Sequence, residues 1–151
     1  SALPELADLG VIHSGRGYEP FHLTHYKAEW VRGGADWETP RYPSSVWNRG
    51  WIKDYYAPWR QVEASGVKVH IGEFGCYNKV PNSDALRWFE DLISVYREFG
   101  WGYSLWNFTG AFGIAEHGRP GTEYENYKGF KVDRRLLEIL KSGFAGEAGK
   151  A

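Results

Sequence analysis

Residues 67–75 read VKVHIGEFG, the pattern of a short and mostly apolar β-strand that ends near a carboxylate, Glu73. Residues 101–108 read WGYSLWNF and predict a second strand, Tyr103 to Phe108, which carries an indole, Trp106, near its end. One helical segment separates the two strands. A strand, a helix and a strand in this order need a crossover connection, so we expect the two strands to pair in parallel.

A third strand precedes these two. We predict it at Val11 to Ser14, followed by a long loop from Gly15 to Asn48 that is rich in Gly, Pro and aromatic residues. A loop of that length inside a compact domain usually marks function or disorder, and its aromatic residues argue against disorder. A helix from about Arg49 to Ala64 should follow the loop. Three βα units in series predict an α/β fold with a parallel sheet and helices packed outside it.

The remaining helices have clear end signals. We predict one helix near Ser83 to Phe99, with Asn82 or Ser83 as its N-cap and Gly100 just after its end. A last helix should begin after Asp133, which is suited to be its N-cap. Both helices carry apolar residues at a spacing that places them on one buried face.

The rest of the chain divides into connections and a tail. A second glycine-rich loop, Thr109 to Lys131, should link the third strand to the last helix. We assign residues 1–142 to one barrel-like portion and residues 143–151 to a flexible tail. The N-terminal segment, Ser1 to Leu6, has neither the charged start nor the apolar core of a signal peptide.

Composition excludes several classes of function. The net charge is −1 and no Lys/Arg cluster occurs, so nothing indicates nucleic-acid binding. No segment reaches the ~18 apolar residues of a membrane span. The single cysteine, Cys76, excludes an intramolecular disulfide and is interpreted as a small core residue. The five histidines form no spaced ligand set, so we predict neither a metal nor a cofactor.

The aromatic content, 17% of the chain with 8 Trp, has two interpretations. One is an aromatic-rich core, and the other is a carbohydrate site in which indoles stack on sugar faces.

A second question is what covers the sheet. Three parallel strands leave two open edges and one bare face, which we expect to be apolar. Either a further part of the domain, a partner chain or self-association would have to cover it.

Candidate site residues follow from the parallel pairing, because the carboxyl ends of parallel strands meet at one edge. That edge should gather Glu73, Trp106 with Asn107, and the segment that begins near Arg16 and Tyr18. A glutamate at the end of an apolar strand is costly unless it is paired or used. Glu73 is therefore either a functional carboxylate or one half of a structural salt bridge. A hydrogen bond from Tyr18 would hold it ionised and oriented.

The chain resembles cellulase-type glycoside hydrolases of family 5. The resemblance extends over nearly the whole chain and rests on four ordered motifs: YEPF at 18–21 with TH at 24–25 and AEW at 28–30, GEFG at 72–75, LWNF at 105–108, and GFKVDR at 129–134. The first motif is similar to the stretch after the sixth strand of that family. The next two resemble its seventh and eighth strands, and the fourth resembles the start of its last helix.

The resemblance implies a partial TIM (β/α)8 barrel, formed by strands six to eight, from a retaining β-glycoside hydrolase of the endoglucanase type. Glu73 would be the catalytic nucleophile and Tyr18 the residue that orients it. A polysaccharide or oligosaccharide would be bound without any cofactor, and the enzyme would be secreted. Trp106 would form the floor of the subsite that holds the scissile sugar. By location alone, we also expect substrate contacts from Asn107 and Arg16 at the strand ends, and from Trp30, Trp37 and Trp47 on the long loop as further subsites.

Two features depart from the family pattern. The Asn-Glu-Pro-like motif that carries the acid/base glutamate at the end of the family's fourth strand does not occur, and neither Glu19 nor Glu116 matches it. Arg16 stands where the family often has a histidine. We therefore expect the nucleophile without the acid/base in this chain, with the rest of a barrel as its partner. The alternative is a catalytically inactive barrel fragment that self-associates or binds sugar weakly.

Overall fold

A computed structural model describes residues 8–144 of the chain. Its elements, in order along the chain, are β1 (Ile12–Gly17), α1 (Phe21–Thr24), a 3-10 turn (Gly34–Asp36), α2 (Arg49–Tyr55), α3 (Ala57–Glu63), β2 (Lys68–Phe74), α4 (Asn82–Phe99), β3 (Gly102–Leu105), β4 (Tyr124–Tyr127), β5 (Phe130–Asp133) and α5 (Arg134–Ser142). The predicted tail lies outside the described residues from residue 145 onward. None of the helices described is long and apolar enough to cross a membrane.

Strands β1, β2 and β3 form a three-stranded sheet in that order, and both pairings are parallel. The prediction of a mixed α/β fold with three consecutive parallel strands is therefore confirmed. The bounds shift slightly, because β1 continues to Gly17 while β3 ends at Leu105, one residue before Trp106. All three predicted site segments accordingly lie at or just beyond the carboxyl ends of neighbouring strands.

The two faces of this sheet differ in composition. Val69, Ile71 and Phe74 of β2 are buried on the face that joins the aromatic core around α4. On the opposite face, Ser14 and Ser104 are exposed, and the Nε2 atom of His70 lies 3.1 Å from the Ser104 hydroxyl oxygen. The expectation of an apolar face is therefore wrong. Alternation turns Val69 and Ile71 of β2 inward and leaves mainly polar and small residues on the outer face, where Ile12 of β1, 59% exposed, is the large apolar side chain.

The predicted helix from Arg49 to Ala64 is two helices. α2 ends at Tyr55 and α3 begins at Ala57, with Pro58 in the first turn of α3. Proline has no amide hydrogen to donate to the preceding turn, so a continuous helix is interrupted there. The break also changes the buried face, because Tyr56 is buried whereas the preceding Tyr55 is exposed.

α4 is the central helix of the core, and its predicted apolar face is buried. Its N-terminus differs from the prediction, since Pro81 precedes the helix and no side chain caps it. Its C-terminus agrees, since Gly100 adopts a left-handed conformation there. The buried residues of α4 are Asp84, Ala85, Trp88, Phe89, Leu92, Ile93, Val95 and Tyr96. Cys76 is fully buried beside this core, as predicted, and burial raises the pKa of its thiol to about 12.

The second predicted loop contains a β-hairpin that the sequence pattern does not indicate. β4 and β5 pair antiparallel, joined by Lys128 and Gly129, which both have positive φ. Positive φ at both central residues suits a two-residue hairpin turn, where glycine at one of them is favourable. Every residue of β4 is exposed, so the strand lacks the alternation that makes a strand visible in sequence.

Asp133 joins this hairpin to α5 and is buried. Its Oδ1 atom accepts a hydrogen bond from the Leu136 amide at 2.9 Å, which confirms the predicted N-cap. Its Oδ2 atom lies 3.0 Å from Nε2 of His117, whose side chain is also buried. One carboxylate therefore holds the start of α5 and the loop after β3 together.

We expect Asp133→Ala to lower the free energy of unfolding by about 2–4 kcal/mol, measured by denaturant titration. Loss of the N-cap costs about 1 kcal/mol, and an unsatisfied buried imidazole group costs about 1–3 kcal/mol. The control is Glu125→Ala on exposed β4, which should change the stability by less than about 0.5 kcal/mol. Equal stabilities of the two variants would contradict this role of Asp133.

Candidate functional site

The site is built at the carboxyl ends of β1 and β2. The pairing register shifts between Gly15 and Arg16, so that Arg16 lies opposite Glu73 while Gly15 lies opposite Ile71. Irregularities of this kind change the direction in which a side chain points, and they are common beside functional sites. Here the shift places the arginine directly next to the carboxylate on the neighbouring strand.

Glu73 is held by two side chains from the β1 side. The Tyr18 hydroxyl donates a hydrogen bond to Oε1 at 2.5 Å, and the Arg16 guanidinium forms an ion pair with Oε2. Partial burial raises the pKa of Tyr18 to about 12, against the opposing charge of Arg16. The phenol is therefore protonated at neutral pH and remains a donor. The predicted contact between Tyr18 and Glu73 is present, whereas Arg16 contacts the carboxylate and was predicted only to contact substrate.

The end of β3 is brought against the end of β2 through the backbone. The Trp106 amide donates to the Phe74 carbonyl at 2.7 Å, and a side chain at Gly75 would collide with the Trp106 carbonyl oxygen. The missing side chain of Gly75 thus permits a close approach. The Trp106 side chain is 51% exposed, so its indole is available to a ligand and is no part of the core.

Asn107 follows through a cis peptide bond. Its carbonyl accepts a hydrogen bond from the Ile114 amide at 3.1 Å, which folds the loop after β3 back on itself. The side-chain Oδ1 atom of Asn107 is buried and has no hydrogen-bond partner among the described residues.

An aromatic cluster surrounds Tyr18 on the loop side. The ring of His25 stacks on Phe21 with centroids 3.9 Å apart and meets Tyr18 edge-on at 5.3 Å. Phe112 meets Tyr18 edge-on at 6.0 Å, which brings the loop after β3 into the same cluster. Trp30 is 61% exposed, and its ring centroid lies 6.1 Å from that of Phe112, so Trp30 belongs to the rim of this site.

His25 and Phe112 were not predicted as site residues. Both lie within the loops that the family motifs identify, but nothing in the spacing along the chain shows that they meet around Tyr18. Burial lowers the pKa of His25 to about 4, so its imidazole is neutral at neutral pH. The Thr24 hydroxyl lies 2.9 Å from its Nδ1 atom and also hydrogen-bonds to the Tyr18 carbonyl. This contact joins the cluster to the backbone of the residue that orients Glu73.

Trp37 lies elsewhere on the same long loop. It lines a cavity of about 380 Å³ together with Trp47 and His22, and neither Glu73 nor Tyr18 is among the lining residues. The structure therefore separates the predicted tryptophans into two groups. Trp30 and Trp106 belong to the two loops beside Glu73, while Trp37 and Trp47 form a second aromatic site.

Two other carboxylates, Glu19 and Glu116, lie on the neighbouring loops, and neither hydrogen-bonds to Glu73. Glu19 accepts a hydrogen bond from the Phe21 amide at 2.8 Å, at the start of α1. Glu116 lines a shallow surface cavity with Tyr124 and Lys131 beside the hairpin. Among residues 8–144, only Arg16 and Tyr18 place side chains in hydrogen-bonding contact with Glu73. Within that same range, no group of three His, Cys, Asp or Glu side chains has a geometry that would hold a metal.

The characterised proteins that this chain resembles in sequence are a cellodextrinase and endoglucanases. No protein-family model matches the sequence. Cellodextrinase A of Ruminococcus flavefaciens is 24% identical over 60% of this chain and 27% of its own length. Endoglucanase C of Acetivibrio thermocellus is also 24% identical, over 70% of this chain and 39% of its own length. The chain thus spans well under half of these relatives.

Solved structures agree in fold. A crystal structure described as a glycoside hydrolase is 58% identical, with a TM-score of 0.89, over 94% of this chain and 44% of that chain. Cel5A of Thermotoga maritima, at 24% identity, matches with a TM-score of 0.71 over 85% of this chain and 38% of its own. These neighbours are glycoside hydrolases. Together with the sequence relatives, they confirm the predicted resemblance to one portion of a cellulase-type glycoside hydrolase domain.

The neutral His25 makes a prediction about pH. An unfolded histidine has a pKa near 6.5, above the value of about 4 in the fold. The stability that neutral His25 contributes is therefore complete above about pH 6.5 and is lost as the pH falls toward 4. We expect the Tm of the wild type to fall more steeply between pH 7 and pH 4.5 than that of His25→Gln. The exposed His22→Gln variant should follow the wild type; identical slopes for all three proteins would contradict the assignment.

Proposed function

We propose that this chain supplies strands six to eight of the (β/α)8 barrel of a retaining β-glycoside hydrolase of the endoglucanase type. Two observations support the proposal. The three consecutive strands pair in parallel and gather Glu73, Tyr18 and Trp106 at their carboxyl ends, where barrel enzymes place their catalytic groups. The solved neighbours are glycoside hydrolases in which this chain corresponds to less than half of the structure.

The observation that carries the proposed chemistry is the contact of Glu73 with Tyr18 and Arg16. A retaining mechanism needs an ionised carboxylate that attacks the anomeric carbon. Tyr18 donates to Oε1 and stabilises the ionised form, and the partly buried, protonated phenol keeps the carboxylate in one orientation. We assign Glu73 the role of nucleophile and Tyr18 that of the positioning residue.

Oε2 is the better candidate for the attacking oxygen. Its partner, Arg16, has a side chain that is 66% exposed, and an exposed ion pair contributes little free energy. The sugar could therefore displace Arg16 at low cost, whereas Tyr18 stays on Oε1. The new bond joins Oε2 to the anomeric carbon while the bond to the leaving oxygen breaks. Water later cleaves the glycosyl ester and restores Glu73.

The leaving oxygen needs a proton, and a second carboxyl group about 5–5.5 Å from the nucleophile normally supplies it. Arg16 cannot supply that proton, and Tyr18 is already donating to the nucleophile. Glu19 accepts a hydrogen bond from the Phe21 amide, and neither Glu19 nor Glu116 hydrogen-bonds to Glu73. We therefore propose that the acid/base is provided by polypeptide outside residues 8–144, in the part of the barrel that would pair with the open edges of β1 and β3.

The proposed substrate is a β-1,4-linked oligosaccharide or polysaccharide of hexoses. The exposed indole of Trp106 would be the floor of the subsite next to Glu73, and the side-chain amide nitrogen of Asn107 would donate to a sugar hydroxyl. Trp30 on the rim would extend the site. Thermotoga maritima Cel5A has been solved with cellobiose and with mannotriose, which supports gluco- and manno-configured sugars as the first to test.

One observation favours the alternative, a non-catalytic fragment. Among the described residues, the outer edges of β1 and β3 have no strand partner, and apolar side chains are exposed nearby. Phe108 in the loop after β3 and Phe130 in β5 are both exposed, and their rings meet edge-on with centroids 4.9 Å apart. A chain of this kind would associate with a second copy or bind sugar weakly without cleaving it, and self-association stays a prediction.

The test is a chimera. The chain is fused to the portion of the 58%-identical glycoside hydrolase that it does not cover, and release of reducing ends from cellotetraose and mannotetraose is measured. We expect hydrolysis by the chimera and none by the isolated chain, because general acid catalysis contributes about 10²–10⁴-fold. Glu73→Gln in the chimera should lower kcat by about 10³-fold or more.

Glu19→Gln and Glu116→Gln are the matched controls and should change kcat by less than about threefold, since neither is assigned to the chemistry. Undiminished activity of the Glu73→Gln chimera would remove Glu73 from the nucleophile role. Cleavage by the isolated chain that depends on Glu116 would instead identify a local acid. A folded chimera that binds cellotetraose without cleaving it would support the fragment interpretation.

A further inference from the structure

The cavity on the long loop between β1 and α2 is a second candidate binding site. Its volume of about 380 Å³ lies within the range of small-molecule sites, about 300–1,000 Å³. The lining residues that matter for its chemistry are His22, Trp37, Glu38, Arg41, Val46 and Trp47. They are supplied by about 26 consecutive residues, so the cavity is a property of one loop and needs no other part of a barrel.

The walls of this cavity are fixed by hydrogen bonds to the core. The buried Tyr42 donates its backbone amide to Asp84 at 2.8 Å and its hydroxyl to Asp91 at 2.7 Å, both on α4. The Ser44 hydroxyl accepts from the Trp47 amide at 2.9 Å, and its own amide donates to the Trp47 carbonyl at 2.7 Å. The wall is therefore anchored to α4 at Tyr42 and held within the loop by the contacts between Ser44 and Trp47, so the cavity is formed without a ligand.

The chemistry of the lining combines flat apolar rings with charged groups. The rings of His22 and Trp37 lie 4.2 Å apart, and Trp47 is the second indole. Glu38 and Arg41 are exposed at the same cavity, and neither side chain hydrogen-bonds to another described residue. Indoles stack on the apolar face of a pyranose, while carboxylate and guanidinium groups bind its equatorial hydroxyls. This combination suits a neutral sugar better than an anion or a purely apolar ligand.

A continuous set of ring contacts connects the cavity with the residues around Glu73. Trp37 meets Phe21 at 6.2 Å, Phe21 stacks on His25 at 3.9 Å, and His25 meets Tyr18 at 5.3 Å. Packed aromatic rings therefore link the two sites along the same loop. His25 in this link is buried, whereas Phe21, 37% exposed, lies between the cavity and the residues around Glu73.

We propose that the Trp37–Trp47 cavity is a separate sugar-binding site that holds a part of the substrate remote from the bond to be cleaved. The inference rests on the proposed function, because it takes its ligand class from the same polysaccharide. It differs from the site at Trp106 and Trp30 in location, in its anchoring to α4, and in the presence of an acidic and a basic side chain at one cavity.

The experiment uses the isolated 151-residue chain and its 8 tryptophans, whose indole N–H groups give separate signals in ¹⁵N-correlated NMR spectra. Single Trp→Phe variants assign each signal. Cellobiose and cellotetraose are titrated in turn, with adenosine as an aromatic ligand that is not a sugar. We expect cellotetraose to shift the signals of Trp37 and Trp47 and adenosine to leave them unchanged.

The matched variants are Trp37→Ala, Arg41→Ala and Trp51→Phe. Trp37→Ala and Arg41→Ala should each weaken cellotetraose binding at the Trp47 signal by about tenfold or more, since each removes one stacking or hydrogen-bonding partner. Trp51, on α2 and outside the cavity, is the control and should leave the affinity unchanged. Arg41 is exposed, so its variant tests the site even where loss of Trp37 disturbs the loop.

The outcomes separate this inference from the proposed function. Shifts at Trp106 alone would overturn the second site and leave the proposed function intact. Shifts at Trp37 and Trp47 that persist without any at Trp106 would support the cavity while removing the support for substrate binding beside Glu73. Equal shifts with adenosine, or none with cellotetraose at millimolar concentration, would overturn the cavity as a sugar site.

Discussion

The contact that joins Glu73 to Tyr18 and Arg16 is the constraint on which the rest of the site depends. A carboxylate near the end of an otherwise apolar strand is stable only if its charge is compensated. Here the compensation comes from the neighbouring strand, at a register shift that places Arg16 opposite Glu73. The parallel pairing of β1 and β2 is therefore both the fold of the sheet and the means by which the carboxylate is oriented.

The remaining structure positions this contact. α4 lies across the buried face of the sheet, and its aromatic residues hold β2 in place, while Gly75 lets the end of β3 approach closely enough to present Trp106. His25, buried and neutral, packs between Phe21 and Tyr18 and supports the residue that donates to Glu73. Strand pairing thus sets which residues meet, and the loop aromatics restrict how they move.

Much of this was visible in the sequence for physical reasons. The strands lie in short, mostly apolar stretches, and the apolar face of α4 repeats at the helical period, so both were predicted. The cap at Asp133 follows from residue type and position. The interruption of the α2 segment was also readable, because Pro58 cannot donate to the preceding turn. It was missed because apolar spacing alone continued through it.

Other features depend on tertiary structure and had no local signal. Hairpin β4–β5 is exposed throughout β4, so it lacks alternation, and the register shift at Arg16 exists only once two strands pair. The polar outer face of the sheet was misjudged because overall strand composition hides which residues alternate outward. The division of the tryptophans into two sites, and the position of His25 and Phe112 around Tyr18, require loop geometry that spacing along the chain does not encode.

The most direct measurement of the central claim is covalent trapping of Glu73. A cellobioside with fluorine at C2 of the reacting sugar and a dinitrophenolate leaving group needs little acid assistance, so it forms a glycosyl ester that hydrolyses slowly. The completed barrel is incubated with this reagent, digested and analysed by mass spectrometry. If Glu73 is the nucleophile, we expect a single fluorosugar adduct on Glu73, which the Glu73→Gln substitution abolishes. An adduct on another carboxylate, or none while the unsubstituted glycoside is cleaved, would contradict it.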